Sequence, residues 1–205
     1  MQKTFYIVDD HETMRLGIVT YITAHSDWRC SGNSADVETA LAELERFART
    51  GTMPAVVICD LAFGDEDLGF DLVKRIHELY PHQLIIVHSM YLAPGIAQSA
   101  IQNGASGYVS KSAPSDKLLQ CMEHVLAGEV VVPDDMQEKL EQLNSFYDAL
   151  TKRERNVMDL LLRNMSNGQI ADTLNLKQRA VNNYISSIYE KTGIDDRSEL
   201  IRLFS

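Results

Sequence analysis

Ala55-Val56-Val57-Ile58-Cys59-Asp60 is an apolar run of strand length that ends on a carboxylate, and it is the clearest indication of the fold. Continuous apolar runs rich in β-branched residues are typical of parallel strands that are covered on both faces. The run at 4–8 has the same character and is followed directly by Asp9 and Asp10. Ligands of open α/β sheets bind beyond the carboxyl ends of the strands, so we expect these three carboxylates to lie together there.

Three carboxylates at one edge of a sheet repel one another, because each negative charge disfavours the ionisation of its neighbours. A divalent cation that prefers oxygen ligands removes this repulsion, and Mg2+ fits such a cluster best. The sequence therefore predicts a magnesium site made by Asp9, Asp10 and Asp60. The alternative for the Asp9-Asp10 pair is that it only caps the following helix, since aspartate is a common N-cap residue.

Outward from these two strands, apolar runs alternate with segments of helical periodicity as far as residue 127. The further predicted strands lie at 28–32, 84–89 and 106–111. The predicted helices lie at 12–24, 35–48, 72–80, 94–103 and 114–127. Strands that alternate with helices at this spacing indicate βαβ units with right-handed crossovers. The predicted fold class is therefore α/β, with a doubly wound, five-stranded parallel sheet.

No strand candidate remains in the last 58 residues, which are predicted to form a small all-α domain. Thr151-Lys152-Arg153-Glu154 is a capping box, a common start of a helix. A short helix from Ser166, a turn at Asn175-Leu176 and a longer helix over 177–191 follow in the order of a helix-turn-helix. We therefore divide the chain into a domain at 1–128, a linker at 129–147 and a helix-turn-helix domain at 148–205.

The linker is predicted to contain a short amphipathic helix. Pro133-Asp134-Asp135 favours a helix start, and Met136, Leu140 and Leu143 share one face of that helix. Such an apolar stripe most often packs on a neighbouring domain, so we expect an ordered connection here.

The acidic character of the chain belongs to its first two-thirds. Residues 1–130 carry 9 Lys and Arg against 17 Asp and Glu, whereas residues 148–205 carry 9 against 8. This asymmetry indicates two domains with different jobs. The three cysteines lack CxxC spacing, so we expect reduced thiols in a cytoplasmic protein. No apolar stretch approaches the roughly 20 residues of a membrane span, and we expect neither a secretory leader nor a membrane partner.

Two sets of motifs resemble a known family. Asp9-Asp10, Asp60, Ser89 and Lys111 end predicted strands one, three, four and five, and in this order they resemble the flavodoxin-like receiver domain of two-component response regulators. Three segments resemble the LuxR-type helix-turn-helix: LTKRER at 150–155, MSNGQIA at 165–171 and VNNY at 181–184. Over nearly its whole length, the chain resembles a response regulator of the NarL/FixJ family.

The resemblance implies a phosphorylation site at the edge of the sheet. Asp60 would be the phospho-acceptor, because carboxylates can form acyl phosphates. The Mg2+ ligands would be Asp10, Asp60 and the backbone carbonyl of Ala62, with Asp9 acting through a bound water. The metal would neutralise charge during phosphoryl transfer.

Three further residues have implied roles in transmitting the signal. Lys111 would pair with one phosphoryl oxygen, and Ser89 would hydrogen-bond to another. Tyr108 matches the aromatic switch position of the family, and its ring would reorient as Ser89 moves. The alternative for Tyr108 is that it is a plain core aromatic residue.

The segment after Asp60 departs from the family pattern. The usual pair of a hydrophobic residue and proline is replaced by Ala62-Phe63-Gly64, the acidic run at 65–67 follows, and Gly69 lies about one residue further along than usual. We expect a reshaped loop, and the added negative charge should disfavour a phosphoryl dianion. This charge bears on the lifetime of the phosphorylated state more than on its formation, and the sequence does not set that lifetime.

The recognition helix departs more strongly, with asparagine and tyrosine where the family often has lysine and histidine. The candidate DNA contacts are Lys177, Arg179, Asn182, Asn183 and Lys191. Asparagine can read adenine in the major groove, while so few cations predict a modest affinity and salt dependence.

The leading hypothesis is a transcription regulator that a sensor histidine kinase phosphorylates, and that then dimerises and binds double-stranded DNA. The dimer would be a homodimer, with a heterodimer as the alternative. Its only chemistry would be self-phosphorylation from a phosphodonor and autodephosphorylation. A second hypothesis is a partner-dependent or phosphorylation-independent regulator that acts mainly through protein contacts. A third, a metal-dependent phosphohydrolase with an Asp60 intermediate, lacks a visible cap or general acid.

Overall fold

The computed structural model describes residues 2–63, 68–91, 93–194 and 196–204. The strands are Thr4–Val8 (β1), Arg29–Ser34 (β2), Val56–Cys59 (β3), Leu84–Ser89 (β4) and Gly107–Ser110 (β5). The helices that alternate with them are Glu12–His25 (α1), Val37–Thr50 (α2), Leu68–Leu79 (α3), Pro94–Gln102 (α4) and Ser115–Leu126 (α5). The acidic run predicted to reshape the loop after Asp60 lies outside the described residues.

All five strands form one parallel sheet in the order β2-β1-β3-β4-β5. This order confirms the predicted doubly wound α/β fold. The strand order reverses at β1: β2 is added on one side of β1, and β3, β4 and β5 follow on the other side. Val8 of β1 lies in register with Cys59 of β3, so the residues that follow them, Asp9 and Asp60, emerge side by side. Such a switch point is where open α/β sheets bind ligands.

Side chains of the central strands alternate between two covered faces. Phe5 and Ile7 belong to a core cluster that includes Ile22 of α1 and Leu118 of α5. Tyr6 belongs to the other face, where its ring meets the edge of Phe47 of α2 at a centroid distance of 5.8 Å. Because both faces of the sheet are buried, the strand sequences are continuous apolar runs and do not alternate between apolar and polar residues.

The starts of β2 and α3 differ from the predicted ones in ways that the packing explains. The second strand was expected at 28–32 and is Arg29–Ser34, because Trp28 is a core residue whose Nε1 donates to Glu123 Oε1 at 2.7 Å. The third helix was expected from residue 72 and begins at Leu68. Gly69 lowers intrinsic helix propensity there, but tertiary packing overrides that weak preference.

The chain divides into two compact units, which group residues 1–91 with 100–133 and residues 92–99 with 134–205. The helices after α5 are Asp134–Ala149 (α6), Lys152–Leu162 (α7), Asn167–Thr173 (α8), Gln178–Thr192 (α9) and Arg197–Phe204 (α10). These helices confirm the predicted all-α character of the C-terminal region. The predicted boundaries at 128 and 148 stay predictions.

The core of the helical unit combines α6 with the helices that follow it. Leu143 and Tyr147 of α6 are buried in one cluster with Val157 of α7, Ile170 of α8 and Ile185 of α9. The amphipathic helix predicted for the linker is therefore present and packed; Leu140, the middle member of its predicted stripe, lies outside the described side chains. The turn between α8 and α9 includes Asn175 at a φ of 51°.

Capping boxes fix the starts of α7 and α8. The predicted box is present, since Thr151 accepts a hydrogen bond from Glu154 N and the Glu154 carboxylate accepts one from Thr151 N. Ser166 and Gln169 form a second such box at the start of α8. Among the helices that the structure describes, none is long and apolar enough to cross a membrane.

Candidate functional site

The carboxyl ends of three strands bring two carboxylates and one ammonium group into contact. Asp9 follows β1, Asp60 follows β3 and Lys111 follows β5. Lys111 Nζ lies 2.7 Å from Asp9 Oδ2 and 2.6 Å from Asp60 Oδ2, and each side chain is about 3% exposed or less. The sequence placed these residues at strand ends, and the structure shows that a single lysine joins them.

The backbone around Asp60 fixes its carboxylate. Asp60 N donates to Val8 O at 2.8 Å, which continues the pairing of β1 with β3 by one residue. Leu61 N donates to Asp60 Oδ1 at 2.7 Å, so one oxygen faces the backbone and the other faces Lys111. Gly69 presses against this turn: a Cβ there would lie 2.2 Å from Leu61 Cα and 2.4 Å from Asp60 O. The start of α3 can approach Asp60 this closely because residue 69 has no side chain.

Burial and ion pairing oppose each other at the two charged partners. Burial raises the pKa of the Asp60 carboxyl group, although Lys111 and the Leu61 amide favour its ionised form. Burial by itself would lower the pKa of Lys111, but hydrogen bonds to Asp60 and Asp9 outweigh it, and the pKa is raised. The lysine therefore stays charged and holds the carboxylates in place.

The acidic cluster extends to the solvent through Asp10 and His11. Ligand atoms of Asp9, Asp10, His11 and Asp60 all lie within 4.8 Å of one another, so these side chains could hold a metal ion. The three carboxylates are oxygen ligands of the kind that hard divalent cations prefer. Ala62, whose backbone carbonyl is the remaining predicted ligand, is half-buried in the loop just after Asp60.

Asp9 also contacts the start of α1, although neither Asp9 nor Asp10 is the N-cap residue that the capping alternative predicted. Asp9 Oδ1 accepts a hydrogen bond from His11 N at 2.8 Å, while His11 itself is the N-cap residue of α1. The prediction that the acidic pair caps the helix is therefore wrong, and the second oxygen of Asp9 faces Lys111.

A chain of hydrogen bonds leads from Ser89 to Tyr108. Ser89 Oγ accepts from Tyr91 N at 3.3 Å, and the Tyr108 hydroxyl donates to Tyr91 O at 2.7 Å. Lys111 N donates to Ser89 O at 2.8 Å, which ties β4 to the end of β5. Tyr108 is 1% exposed, and burial raises the pKa of its hydroxyl group. Tyr91, which the sequence did not single out, thus joins Ser89 to Tyr108, whereas Lys111 is bonded to Ser89 directly.

Two more residues next to the site were missed. Arg15 of α1 donates from Nη1 to Asp9 O at 2.6 Å and from Nε to Asn33 Oδ1 at 3.0 Å. His88, one residue before Ser89, is buried inside the sheet layer. Burial and the charge of Lys111 lower its pKa to about 4. The sequence did contain a signal for His88, since a histidine is unusual inside an otherwise apolar strand.

The helical unit exposes most of its predicted DNA contacts on α9 and at its start. Lys177 is the N-cap residue of α9, and Arg179, Asn182 and Asn183 follow it with exposed side chains. Asn182 Oδ1 accepts a hydrogen bond from Asn167 Nδ2 of α8 at 2.9 Å. This contact joins the two helices of the predicted helix-turn-helix.

Lys191, the last predicted contact, is engaged by Glu154. Its Nζ lies 2.7 Å from Glu154 Oε2, and the same carboxylate accepts hydrogen bonds from Ser187 Oγ at 2.6 Å and Thr151 N at 2.7 Å. Burial opposes ionisation of Glu154, but these donors outweigh it and lower its pKa to about 2. The sequence identified Glu154 as half of a capping box and missed its contact with α9.

The sheet order, the acidic crevice with one lysine, and the helix pair α8 and α9 define a class of protein. It is one in which a receiver-like α/β domain is followed by a helix-turn-helix domain. Comparison with known families agrees with this class. The family described as the response regulator receiver domain matches residues 5–123, and the luxR family of bacterial regulatory proteins matches residues 148–204. The chain therefore belongs to the two-component response regulators with a LuxR-type DNA-binding domain, which confirms the resemblance seen in the sequence.

Relatives match along nearly the whole chain. The response regulator protein VraR of Staphylococcus saprophyticus is 24% identical over 200 residues, which cover 95% of this chain and 92% of VraR. The transcriptional regulatory protein ComA of Bacillus subtilis is 27% identical over 208 residues, which cover 97% of this chain and 95% of ComA.

Solved structures share the fold over a similar length. A structure of two RcsB dimers bound to two parallel DNAs has a TM-score of 0.66 at 21% identity and covers 99% of this chain and 98% of that chain. RcsB of Salmonella enterica serovar Typhimurium, bound to a promoter in the presence of the phosphomimetic BeF3−, has a TM-score of 0.65 at 23% identity. That match covers 100% of this chain and 99% of that chain.

Proposed function

We propose that phosphorylation of Asp60 switches this response regulator into a dimer that binds specific DNA and regulates transcription. The observation that carries the proposal is the buried contact of Lys111 with both Asp60 and Asp9. A carboxylate fixed at a switch point, with a cation beside it, is suited to accept a phosphoryl group and to stabilise its charge. We propose the same division of the chain as the sequence suggested: a receiver at 1–128, a linker at 129–147 and a DNA-binding domain at 148–205.

Asp60 is the nucleophile in this proposal. A carboxylate oxygen attacks the phosphorus atom, the bond between phosphorus and the donor's leaving atom breaks, and its electron pair leaves with the donor. Lys111 then pairs with a phosphoryl oxygen, and Ser89 donates its hydroxyl to another. The donor is a phosphohistidine on a sensor histidine kinase or a small acyl phosphate. Apart from this self-phosphorylation and the later loss of phosphate to water, we propose no enzymatic activity.

The cofactor in the proposal is Mg2+. Asp9, Asp10, Asp60 and the backbone carbonyl of Ala62 would hold it, and their oxygen atoms suit its preference for hard ligands. When bound, it supplies positive charge that offsets the negative charge of the phosphoryl oxygens. Lys111 already offsets part of the charge of the carboxylates, which keeps two buried aspartates compatible with a folded site.

The hydrogen-bonded residues around Tyr91 would transmit the change. If Ser89 turns toward a phosphoryl group, it gives up its contact with Tyr91 N, and Tyr91 O is the acceptor for Tyr108. A movement of Ser89 therefore reaches Tyr108 through one residue. The proposal is a shift between two populations of this region, of which phosphorylation favours one.

The helical unit is the proposed reader of double-stranded DNA. The proposed contacts are Lys177, Arg179, Asn182, Asn183 and Lys191, all exposed on or beside α9. The number of cations is small, so one copy would make few phosphate contacts, and a homodimer would double them. A dimeric state on DNA is supported by the fold-level likeness to RcsB, whose dimers have been seen on DNA. We propose that the protein works in the cytoplasm, where both kinase and DNA are accessible.

A second candidate is a regulator that needs a partner protein to bind DNA, as in a heterodimer. Two observations favour it: the C-terminal residues 148–205 carry nearly balanced charge, and Lys191 is already paired with Glu154. A partner would then supply most of the phosphate contacts.

The test is fluorescence anisotropy of the full-length protein with DNA selected by this protein from a random pool. Binding is measured over a salt series with and without Mg2+ and beryllofluoride, and the Asp60→Asn variant serves as the control. We expect beryllofluoride to tighten specific binding at least about fivefold in the native protein and to leave the variant unchanged. Equal binding in both states would contradict the switch, and no specific binding in either state would favour the partner-dependent candidate.

A further inference from the structure

A cavity lies between α1 and α5 next to the acidic site, with Lys111 among its lining residues. Its volume is about 370 Å3, within the range of roughly 300–1,000 Å3 that is usual for small-molecule sites. Ile18 and Ile22 of α1, Val109 of β5 and Leu118 of α5 supply apolar walls. Apart from Lys111, none of the residues proposed for phosphoryl transfer or DNA binding lines this cavity.

His88 lines the same cavity and has an unsatisfied polar atom. The residue is 7% exposed, and its Nδ1 has no hydrogen-bond partner among the residues described by the structure. Buried polar atoms are nearly always paired, because burial without a hydrogen bond costs free energy. An unpaired nitrogen at the wall of an apolar cavity is therefore a place where a ligand could donate or accept one hydrogen bond.

Gly17 lines the cavity at its exposed edge on α1. It lies in the middle of the helix and lines the cavity, and an ideal Cβ built on it would meet no atom within 4 Å. Glycine inside a helix lowers stability relative to alanine, and here no close approach of another segment requires it. A larger side chain at this position would extend into space that a ligand could occupy.

The electrostatics of the cavity favour an uncharged ligand. Lys111 lines one wall, but its ammonium group is neutralised by Asp9 and Asp60 on the other side. Burial, assisted by the charge of Lys111, keeps the pKa of His88 at about 4, so its ring is neutral at neutral pH. No charge of the cavity is left to pair with an ionised ligand, and an ion would lose its hydration on entry.

We propose that this cavity is a binding site for a small, uncharged aromatic molecule whose hydroxyl group hydrogen-bonds to His88 Nδ1. A flat ring fills an apolar cleft between two helices at a low cost in conformational entropy, and the hydroxyl group satisfies the buried nitrogen. The cavity, its apolar walls and the unpaired nitrogen of His88 are observed without any phosphorylation of Asp60, so the proposal does not rest on the phosphorylation switch.

The experiment uses 4-methylphenol as the probe and p-xylene as its matched ring without a hydroxyl group. Each is titrated into full-length protein and followed by saturation-transfer NMR, and the His88 ring nitrogens are observed in protein labelled with 15N-histidine. We expect saturable binding of 4-methylphenol, a shift of the Nδ1 resonance, and binding of p-xylene that is about tenfold weaker. The absence of saturable binding up to the solubility of 4-methylphenol, or an unchanged Nδ1 resonance, would overturn the proposal.

Two variants locate the site. Gly17→Leu fills the cavity and should weaken 4-methylphenol binding by about tenfold or more, whereas Gly17→Ala adds one methyl group and tests whether the helix tolerates substitution. His88→Phe should remove the preference for 4-methylphenol over p-xylene. Binding that is the same in Gly17→Leu and in the native protein would place the probe elsewhere and refute the site. The nitrogen resonance of the native protein decides the case even if a variant fails to fold.

Discussion

At the scale of single residues, the site consists of charges that stabilise one another only as a group. Lys111 contacts Asp9 and Asp60 at 2.7 and 2.6 Å, so removal of either carboxylate leaves the lysine one partner. Such shared pairing tolerates the loss of one carboxylate better than the loss of the lysine, which would leave two like charges buried together.

Asp60→Asn should abolish phosphorylation while the protein stays folded. An amide nitrogen or oxygen at this position does not form an acyl phosphate, but the side chain can still accept a hydrogen bond from Leu61 N. Phosphorylation is measured by intact mass after incubation with acetyl phosphate and Mg2+. Asp71→Asn is the control, because Asp71 is an exposed carboxylate of α3. Phosphate on the Asp60→Asn variant at the native level would identify another acceptor.

Residues of the site could be predicted from the sequence only where they directly follow an apolar run that forms a strand. Asp9, Asp60 and Lys111 terminate apolar runs, so their convergence followed from the parallel sheet. Arg15 could not be predicted, since its contact with the carbonyl of Asp9 depends on how α1 packs against the sheet. His88 Nδ1 could not be predicted either, because whether a buried nitrogen has a partner is set by three-dimensional neighbours alone.

At the scale of elements, the first turn of α3 is held against the turn that carries Asp60. Gly69 N donates to Leu61 O at 3.1 Å, and there is no room for a side chain at this position. The predicted start of this helix was late because propensity penalises glycine, while the packed structure requires it. At Gly69 the intrinsic helix propensity disfavours a helix, but the tertiary packing against Leu61 and Asp60 outweighs it.

Gly69→Ala should therefore destabilise the protein and slow its phosphorylation. The added Cβ would have to displace the backbone of Leu61 or Asp60, and overpacking of this kind costs about 1–3 kcal/mol. Urea unfolding followed by Trp28 fluorescence measures the first effect, and the rate of labelling by acetyl phosphate measures the second. Gly17→Ala is the matched control, since its Cβ meets open space and should leave stability equal or about 0.5–1 kcal/mol higher. Equal effects of the two substitutions would argue against the close approach.

The contact between α7 and α9 predicts a pH dependence of the helical unit. The folded pKa of Glu154 is about 2, below its usual value of 4.5, so its ionised form is favoured by folding. The resulting stability is fully present above about pH 4.5 and is lost as the pH falls toward 2. Amide NMR signals of α7 and α9, recorded during unfolding of the full-length protein at several pH values, should show this loss.

Glu154→Gln should lower the stability of the same unit and flatten its response between pH 4.5 and 2. The amide cannot form the ion pair with Lys191, and hydrogen bonds to charged groups contribute about 1.5–3 kcal/mol each. Glu190→Gln removes an exposed carboxylate from α9 and serves as the control. An unchanged pH profile in the Glu154 variant would show that other groups produce the dependence.

At the scale of the whole molecule, charge is divided between the two domains. The acidic excess of residues 1–130 repels nucleic acid, and the nearly balanced residues 148–205 carry the exposed cations of α9. Any affinity for DNA is therefore expected to come from a small number of side chains, so that loss of one should be visible.

Arg179→Ala should weaken DNA binding without changing phosphorylation. Its side chain is exposed near the start of α9, and loss of one phosphate contact should reduce the salt slope by about 1. Fluorescence anisotropy over a salt series measures the slope, and acetyl phosphate labelling checks the receiver. Arg49→Ala removes an exposed arginine from α2 and controls for net charge. If both variants bind alike, the DNA interface lies away from Arg179.

The whole-molecule organisation could be predicted from the change of pattern along the chain. Apolar strands end before the last 58 residues, and the capping box at Thr151 marks the first helix of the second part. The contact of Lys191 with Glu154 could not be predicted, because it depends on the packing of α7 against α9 rather than on the sequence near either residue.

The order of the strands has a consequence for synthesis on the ribosome. Asp9 is made early, Asp60 about fifty residues later, and Lys111 only after β5, yet the three side chains must meet. A nascent chain that ends before residue 111 lacks the cation that holds the two aspartates together. We therefore expect nascent chains to be inert toward phosphodonors until β5 joins the sheet. A histidine kinase would then phosphorylate only chains whose receiver domain is complete.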